Sequence, residues 1–451
     1  MNKQIHFKQT LLLASTLFGL LFGAGNLIFP IHMGQEAGQQ VGLANLGFLI
    51  TGIGLPLLAI IVMGLTNSRD IIELASPIHP DYAKFFTILL YLCIGPLFAV
   101  PRLASTSYEI GFASWLPAES SSLYLPFFSI AFFLCTWWFS QNPTKLIDYI
   151  GKYMNPLFLT LLAILFALAI IFPMGNPGDI RPLDHYQAGR AFSQGLVQGY
   201  STLDAPASLA FGILIIRAVK SMGIDAPGSI ARQVIKAGLL TALMMGLIYS
   251  LLSLMGASSV TLLGVQENGG LSLALISKHY LGSIGASFLS LIILLACLKT
   301  AIGLTTAFGE TFHDLFPKIS YPCFTAIACI LPTIIANLGL SKITQYTLPI
   351  LMFIYPLTIT LTLLGLGSYF LGYHPPVYIW VTLMTGLAAL IDALNALPDF
   401  IRQEAWIENL VSAASQLLPF YQYGLGWILP ALVGLLIGAM ITFHHKKIPR
   451  N

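Results

Sequence analysis

Charge is the scarcest commodity in this chain. Of 451 residues, 21 are Lys or Arg and 18 are Asp or Glu, together 9%, against roughly a quarter in soluble domains. So few charges could not clothe the surface of a soluble protein of this size, which excludes a cytosolic enzyme, a secreted disulfide scaffold and a disordered chain. The formal net charge of +3 gives no reason to expect nucleic acid as a partner. Cysteine is sparse too. Cys93, Cys135, Cys297, Cys323 and Cys329 sit in apolar runs without disulfide or metal-ligand spacing and read as small buried hydrophobes. No HExxH, GxSxG, Walker-type or Gly-rich nucleotide motif is present. A membrane-embedded enzyme is therefore disfavoured, no cofactor is expected, and no ATPase subunit is implied.

Apolar sequence is abundant: 56% of residues are hydrophobic and mean hydropathy is +0.81. The fold class implied is all-α, a polytopic protein whose surroundings are the lipid bilayer. A spanning helix needs roughly 20 mostly apolar residues. Twelve runs qualify, beginning near Thr10, Val41, Phe85, Leu123, Ile150, Ala191, Ile230, Leu281, Pro322, Thr344, Pro376 and Tyr423. Between Pro398 and Gln422, Trp406, Leu410 and Leu417 stand among polar residues, the pattern of a helix lying on the membrane. Lys3 and Lys8 before Leu11–Phe22 resemble a signal peptide, but apolar sequence continues to Pro30, so an uncleaved first span is expected. With the N-terminus inside, only Arg181, Arg190, Lys278, Lys342 and Arg402 fall in outer loops. Arg102 and Lys299 fall inside spans. The remaining basic residues, from Lys3 to Arg450, are cytoplasmic, and so are both termini.

Two spans carry polar interruptions. Span one contains FGAGNLIFP, Phe22–Pro30, and span six contains GYSTLDAPAS, Gly199–Ser208. Unwound backbone cannot face hydrocarbon, so it must meet protein, water or a ligand. Spans one and six each open a block of five. Five is odd, so the blocks lie in opposite orientations, and matching broken helices in inverted repeats point to a transporter's central site. The expected organisation is one transmembrane domain over 1–451, with repeat one at about 10–173, repeat two at about 191–371 and two extra helices at about 375–443. Free N–H groups at half-helix starts suit a carboxylate. Half-helix ends and exposed carbonyls suit an ammonium or a cation. A zwitterionic amino acid supplies both complements.

Charges inside the membrane need a reason. Asp204 lies in the second interruption and is expected to hold an amine, an ion or a proton. Lys299 shares a narrow face with Ala296, Thr300, Gly303 and Ala307, where its ammonium should meet carbonyls or a carboxylate, or lose its proton. Arg102 is expected to pair with Glu109, two turns along, or to snorkel. Tyr108 reads as a gate or an interface aromatic. Asp392 with Asn395 reads as structural, and Glu310 as reaching the interface.

LFGAGNLIFP with the following GQEAG, GPLFAVPR in span three, GYSTLDAPASLAFG in span six and ACLKTAIGLTTAFGE in span eight resemble the bacterial branched-chain amino acid:cation symporters over nearly the whole chain. The resemblance implies a LeuT-type fold with discontinuous helices one and six. It also implies cation-coupled uptake of leucine, isoleucine and valine across the bacterial inner membrane. By motif, Ala24, Gly25 and Asn26 would meet the substrate carboxylate, and Tyr200, Ser201 and Asp204 would line the other side. Asn26 and Thr202 would approach one sodium position. A second would use Gly19 and Phe22 with Ala296, Lys299 and Thr300. Here the chain departs, because the family's usual residue at Lys299 is threonine. A lysine ammonium could stand in for that sodium, and it loses its charge by releasing a proton. The coupling ion is therefore sodium or proton, or coupling is sodium-independent. The competing expectations are a carrier or sensor for another small apolar amino acid, sodium-coupled at Asn26, and a channel, which would want a continuous polar pore.

Overall fold

The computed structural model describes residues 7–66, 68–113, 121–187, 189–224, 226–421 and 424–447. Lys3, Gln422, Tyr423 and Arg450 lie outside them. Every regular element among the described residues is helical. The first stretch comprises α1 (Phe7–Leu21), α2 (Gly25–Ala37), α3 (Val41–Leu49), α4 (Leu55–Leu65) and the short α5 (Ile71–Ala75). There follow α6 (Pro80–Leu92), α7 (Ala99–Thr106), α8 (Ser121–Ser140) and α9 (Asn155–Ile171). The second half holds α10 (Ala191–Tyr200), α11 (Asp204–Ser221), α12 (Pro227–Leu263), α13 (Gly269–Leu281), α14 (Gly285–Leu315), α15 (Tyr321–Ala336) and α16 (Leu340–Leu371). The last elements are α17 (Pro375–Asn395), α18 (Asp399–Arg402), α19 (Ala405–Leu417) and α20 (Ile428–Lys447).

Eight helical stretches are long and apolar enough to cross a membrane, nine if the bent pair α10 and α11 is one span. Three shorter apolar helices, Phe7–Leu21, Tyr321–Ala336 and Ile428–His444, join them. Each apolar run read from sequence overlaps one of these helices, the first being divided between α1 and α2. The eighth begins at Gly285 rather than near Leu281, because α13 ends there with Gly282 at φ 56°. The segment between Pro398 and Gln422 contains α19, a helix as its spacing of apolar residues leads one to expect. Wide π-type turns interrupt the helices at Ile50–Gly54, Cys93–Leu97, Ser107–Phe112 and Ile147–Met154. Each rotates the side chains of the succeeding turns relative to those before it.

The centre of the bundle is built from the broken helices. From Asp204 to Ile216 every residue of α11 is buried. Phe18, Leu20 and Phe22 are fully buried as well, so the first helix is core. Neighbouring backbones approach through glycine. A Cβ on Gly34 would stand 2.0 Å from the Ser253 carbonyl oxygen, and one on Gly195 would stand 1.9 Å from that of Ala44. These contacts bring α2 against α12 and α10 against α3, the small-residue packing typical of helices in lipid. The outside is apolar: Phe127, Trp138, Leu243 and Phe443 are all more than two-thirds exposed, a surface suited to hydrocarbon. Cys93, Cys297 and Cys329 are buried, whereas Cys135 and Cys323 are exposed on this apolar face, which corrects their reading as buried.

Candidate functional site

Glycine weakens a helix by about 1 kcal/mol per residue relative to alanine, and α1 ends where Gly23 and Gly25 flank Ala24. The Gly23 N–H donates to the Leu21 carbonyl at 3.0 Å and to Asn26 Oδ1 at 2.9 Å, which closes the break. The second break spans Ser201–Leu203, with a 41° bend between α10 and α11. Leu203 has φ 65°, a left-handed conformation that costs a branched residue about 1–3 kcal/mol and gathers at functional sites. Asp204 then opens α11, where a carboxylate complements the helix dipole. Pro206 is tolerated in that first turn because no intrahelical donor is lost.

The two breaks meet. Asn26 Nδ2 donates to Asp204 Oδ2 at 2.6 Å and also to Tyr249 Oη. The Tyr249 hydroxyl in turn donates to Asp204 Oδ2 at 2.9 Å. Asn26 and Asp204 are each 2% exposed and Tyr249 is fully buried. Ala24 and Gly25 lie directly beside this triad in sequence. Tyr200 leads into the second break, its ring 4.6 Å from that of Tyr355 on α16, and Ser201 comes next, partly exposed. Thr202 Oγ1 donates to the Gly199 carbonyl at 2.9 Å and accepts from the Asp204 N–H at 3.5 Å. It thus reaches Asn26 only through Asp204.

Arg102 does not behave as its spacing suggests. Its guanidinium makes no ion pair or hydrogen bond with any described residue, and one of its nitrogens lies 3.5 Å from where a Cβ on Gly25 would stand. It is within electrostatic reach of Asp204 and Cys297. Glu109 Oε1 instead accepts from the Leu340 N–H at 2.9 Å and caps α16. The wide turn at Ser107–Phe112 rotates Glu109 off the Arg102 face, which is why two helical turns do not unite them. Tyr108 is 3% exposed and packs its ring 5.4 Å from that of Phe128. This places it inside the bundle rather than in an interface belt.

Lys299 is fully buried. Its Nζ donates to Asn155 Oδ1 at 3.1 Å and lies 3.7, 5.1 and 5.6 Å from the ring centres of Phe158, Phe18 and Phe22. Of the two expected acceptors it is a carbonyl that the ammonium meets, that of a side-chain amide, joined by three aromatic faces, which attract a cation through their quadrupoles. Asn155 is held by its own donation to Ser15 Oγ at 3.0 Å, and Ser15 donates to the Gly151 carbonyl at 2.7 Å. Gly19 belongs to the same cluster: a Cβ there would lie 3.5 Å from Asn155 Cβ. Ala296, fully buried, is three residues before Lys299 on α14. Thr300 turns elsewhere, its Oγ1 3.4 Å from the Cβ position of Gly23.

Glu310 is 7% exposed and pairs with Arg217 at 2.8 Å, a partner that its place in the sequence did not disclose. Asp392 and Asn395 lie on α17, which packs against α16, α19 and α20. Tyr249 and Asn155 were missed from sequence. The signal available for Asn155 was an amide before proline inside an apolar run. Tyr249 offered none, since one tyrosine in GLIYSLL looks like any membrane aromatic.

Residues 6–445 match the family model described as branched-chain amino acid transport protein. The chain is 42% identical to the branched-chain amino acid permease BrnQ of Lactobacillus delbrueckii subsp. lactis, over 99% of this chain and 100% of that one. It is 39% identical to BrnQ of Bacillus subtilis (strain 168), again over 99% and 100%. Among solved structures it is similar to Mhp1, a nucleobase-cation-symport-1 family transporter in a closed conformation with bromovinylhydantoin bound. That match has a TM-score of 0.58 at 15% identity, over 98% of this chain and 93% of that one. At that identity the likeness concerns the fold alone.

Proposed function

The chain belongs to the branched-chain amino acid transport protein family, and from that premise we propose that it carries leucine, isoleucine and valine into a bacterial cell through the inner membrane by alternating access. The observation that carries the reading is the junction of the two breaks at Asn26 and Asp204. Polar main chain from α1–α2 and α10–α11 converges there inside an apolar bundle, as a carrier's central site requires. Joining α1 to α2 and α10 to α11 as single broken spans gives twelve crossings. These comprise repeats at about 10–173 and 191–371 and two further helices, with both termini cytoplasmic. Ala24, Gly25, Asn26, Tyr200, Ser201 and Asp204 form the substrate site. Uptake of labelled leucine into proteoliposomes, competed by each of the twenty amino acids, tests this. Competition strongest from residues other than leucine, isoleucine and valine would refute the substrate class.

Coupling runs through Lys299 in this reading. Its amine, among Asn155, Phe18, Phe22 and Phe158, ties α14 to α1 and α9 with one positive charge and so replaces a sodium ion between them. Gly19, Phe22 and Ala296 complete that cluster, while the Thr300 hydroxyl faces the first break at Gly23 instead. Release of the lysine proton would untie the helices, which makes the carrier proton-coupled or sodium-independent. The sodium position at Asn26 and Thr202 is the second reading. There the Thr202 hydroxyl donates to Gly199 and Asn26 Oδ1 accepts from Gly23, so each oxygen keeps a lone pair for a cation. Leucine uptake with sodium replaced by choline separates the two readings. Persistence of uptake, and its collapse with a protonophore, is expected for coupling at Lys299. Abolition by choline would favour sodium at Asn26.

A further inference from the structure

We propose that Arg102 binds the carboxylate of the transported amino acid, with Asp204 as its counterpart for the ammonium. The inference rests on the carrier reading above and adds to it a residue that the spacing along α7 had assigned to Glu109.

The argument begins with an electrostatic imbalance. Arg102, partly exposed on α7, and Asp204, buried at the start of α11, carry opposite charges among mostly apolar neighbours. They lie within each other's field, yet no ion pair forms between them. Asp204 Oδ2 is engaged by Asn26 and Tyr249, which hold the carboxylate in place. Arg102 has no described hydrogen-bond or ion-pair partner, and its five donors have no acceptor to serve. Arg102 is partly exposed, so its guanidinium keeps its donors open toward a space that a ligand can enter, and an intramembrane charge marks such a pathway.

The guanidinium is also aimed. Its nitrogen lies 3.5 Å from the Cβ position of Gly25, against the first turn of α2. The first N–H groups of a helix lack intrahelical partners. A carboxylate placed there meets the planar fork of Arg102 on one side and those N–H groups on the other. An α-amino acid carries its ammonium one carbon from its carboxylate. Seated between Arg102 and Asp204, it would turn two separated side-chain charges into two charge-assisted contacts. An amine without a carboxylate, or an acid without an amine, would leave one of them unmatched. The pair therefore selects the zwitterion, while the apolar walls select the side chain.

Binding to the full-length purified carrier in nanodiscs tests this, with leucine, leucinol (no carboxylate) and 4-methylpentanoate (no amine) as probes. The parent should bind leucine at least about 100-fold more tightly than leucinol. R102Q should lose about 100-fold for leucine but stay within about threefold of the parent for leucinol, with its melting temperature recording that it is folded. R102K, which keeps the charge but loses the fork, should fall between them. Equal losses for leucine and leucinol in R102Q would overturn the inference and give Arg102 a structural role. So would leucine binding within about threefold of the parent. If R102Q does not fold, the parent and R102K decide: a parent indifferent to leucinol versus leucine refutes the proposal outright. A parent that binds no branched-chain amino acid at all refutes the carrier reading instead.

Discussion

Two residues decide whether the central cluster is a mechanism or a scaffold. Tyr249 closes the triangle with Asn26 and Asp204. Removing its hydroxyl leaves a buried carboxylate short of one donor, at about 1–3 kcal/mol. Tyr249→Phe should lower the melting temperature of the purified carrier and weaken leucine binding about tenfold. A variant that matches the parent in both measurements would mean that water or Asn26 alone satisfies Asp204. Lys299→Met keeps the length of the side chain and removes its charge. Replacing a buried charge by an apolar isostere is often neutral or stabilising, so the fold should persist. Accumulation of leucine against a gradient should fail while leucine–leucine exchange survives. Accumulation equal to the parent's would show that Lys299 only ties helices together. Asn26, Asp204 and Lys299 were legible in the sequence because a polar group inside an apolar run is conspicuous on its own. Arg102 was equally conspicuous, but it does not pair with Glu109, because it approaches Gly25 on α2 and its apparent neighbour Glu109 is turned away. Tyr249 and Asn155 acquire meaning only from residues far along the chain.

At the scale of elements, helix breaks are written locally while helix pairings are not. Gly23 and Gly25 mark the first break, and the stretch ending in Asp204 and Pro206 marks the second, so both could be placed by inspection. By contrast, α13 and α5 were not anticipated. Only Asn268, which accepts from the Leu271 N–H, and Asp70, which accepts from the Glu73 N–H, announce them as capping residues. The close approaches between helices are also invisible before the fold is known, since the chain has 40 glycines and only some stand against backbone. Gly34 and Gly42 make the contrast testable. A Cβ at Gly34 would collide with the Ser253 carbonyl, whereas nothing lies within 4 Å of one at Gly42. Gly34→Ala should separate α2 from α12 at a cost of about 1–3 kcal/mol. Gly42→Ala should be neutral, or stabilising by up to about 1 kcal/mol through helix propensity. Thermal melting in detergent reads both, and equal effects would show that α2 and α12 are not held in this close approach.

For the whole molecule, alternating access requires the broken helices to part from the rest of the bundle at one end at a time. In the mechanism proposed above, the junction of α11 with α14 is where they would part. Arg217 reaches Glu310 at 2.8 Å and Asp314 at 2.7 Å, joining the end of α11 to the end of α14 on the side that the proposed topology turns to the cytoplasm. Glu310 is nearly buried, whereas Arg217 and Asp314 are about half exposed. Solvent therefore screens part of the attraction, and the latch is worth about 1–3 kcal/mol rather than the full value of a buried pair. That is a useful size, because a latch of much greater strength would hold the carrier shut, and each 1.4 kcal/mol shifts a two-state population about tenfold. Arg217→Gln leaves Glu310 beside Asp314 with no counter-charge, and their repulsion should bias the carrier toward opening on that side. A cysteine at Ser208, fully buried in α11, reports this when placed in a background without the native cysteines. Its labelling by a maleimide confined to the cytoplasmic side should be about tenfold faster in the Arg217→Gln variant. Exchanging the charges, with Arg217→Glu and Glu310→Arg together, should restore the slow rate. Labelling that ignores both changes would mean that α11 and α14 move as one body, and the opening would then have to be sought where α2 meets α12.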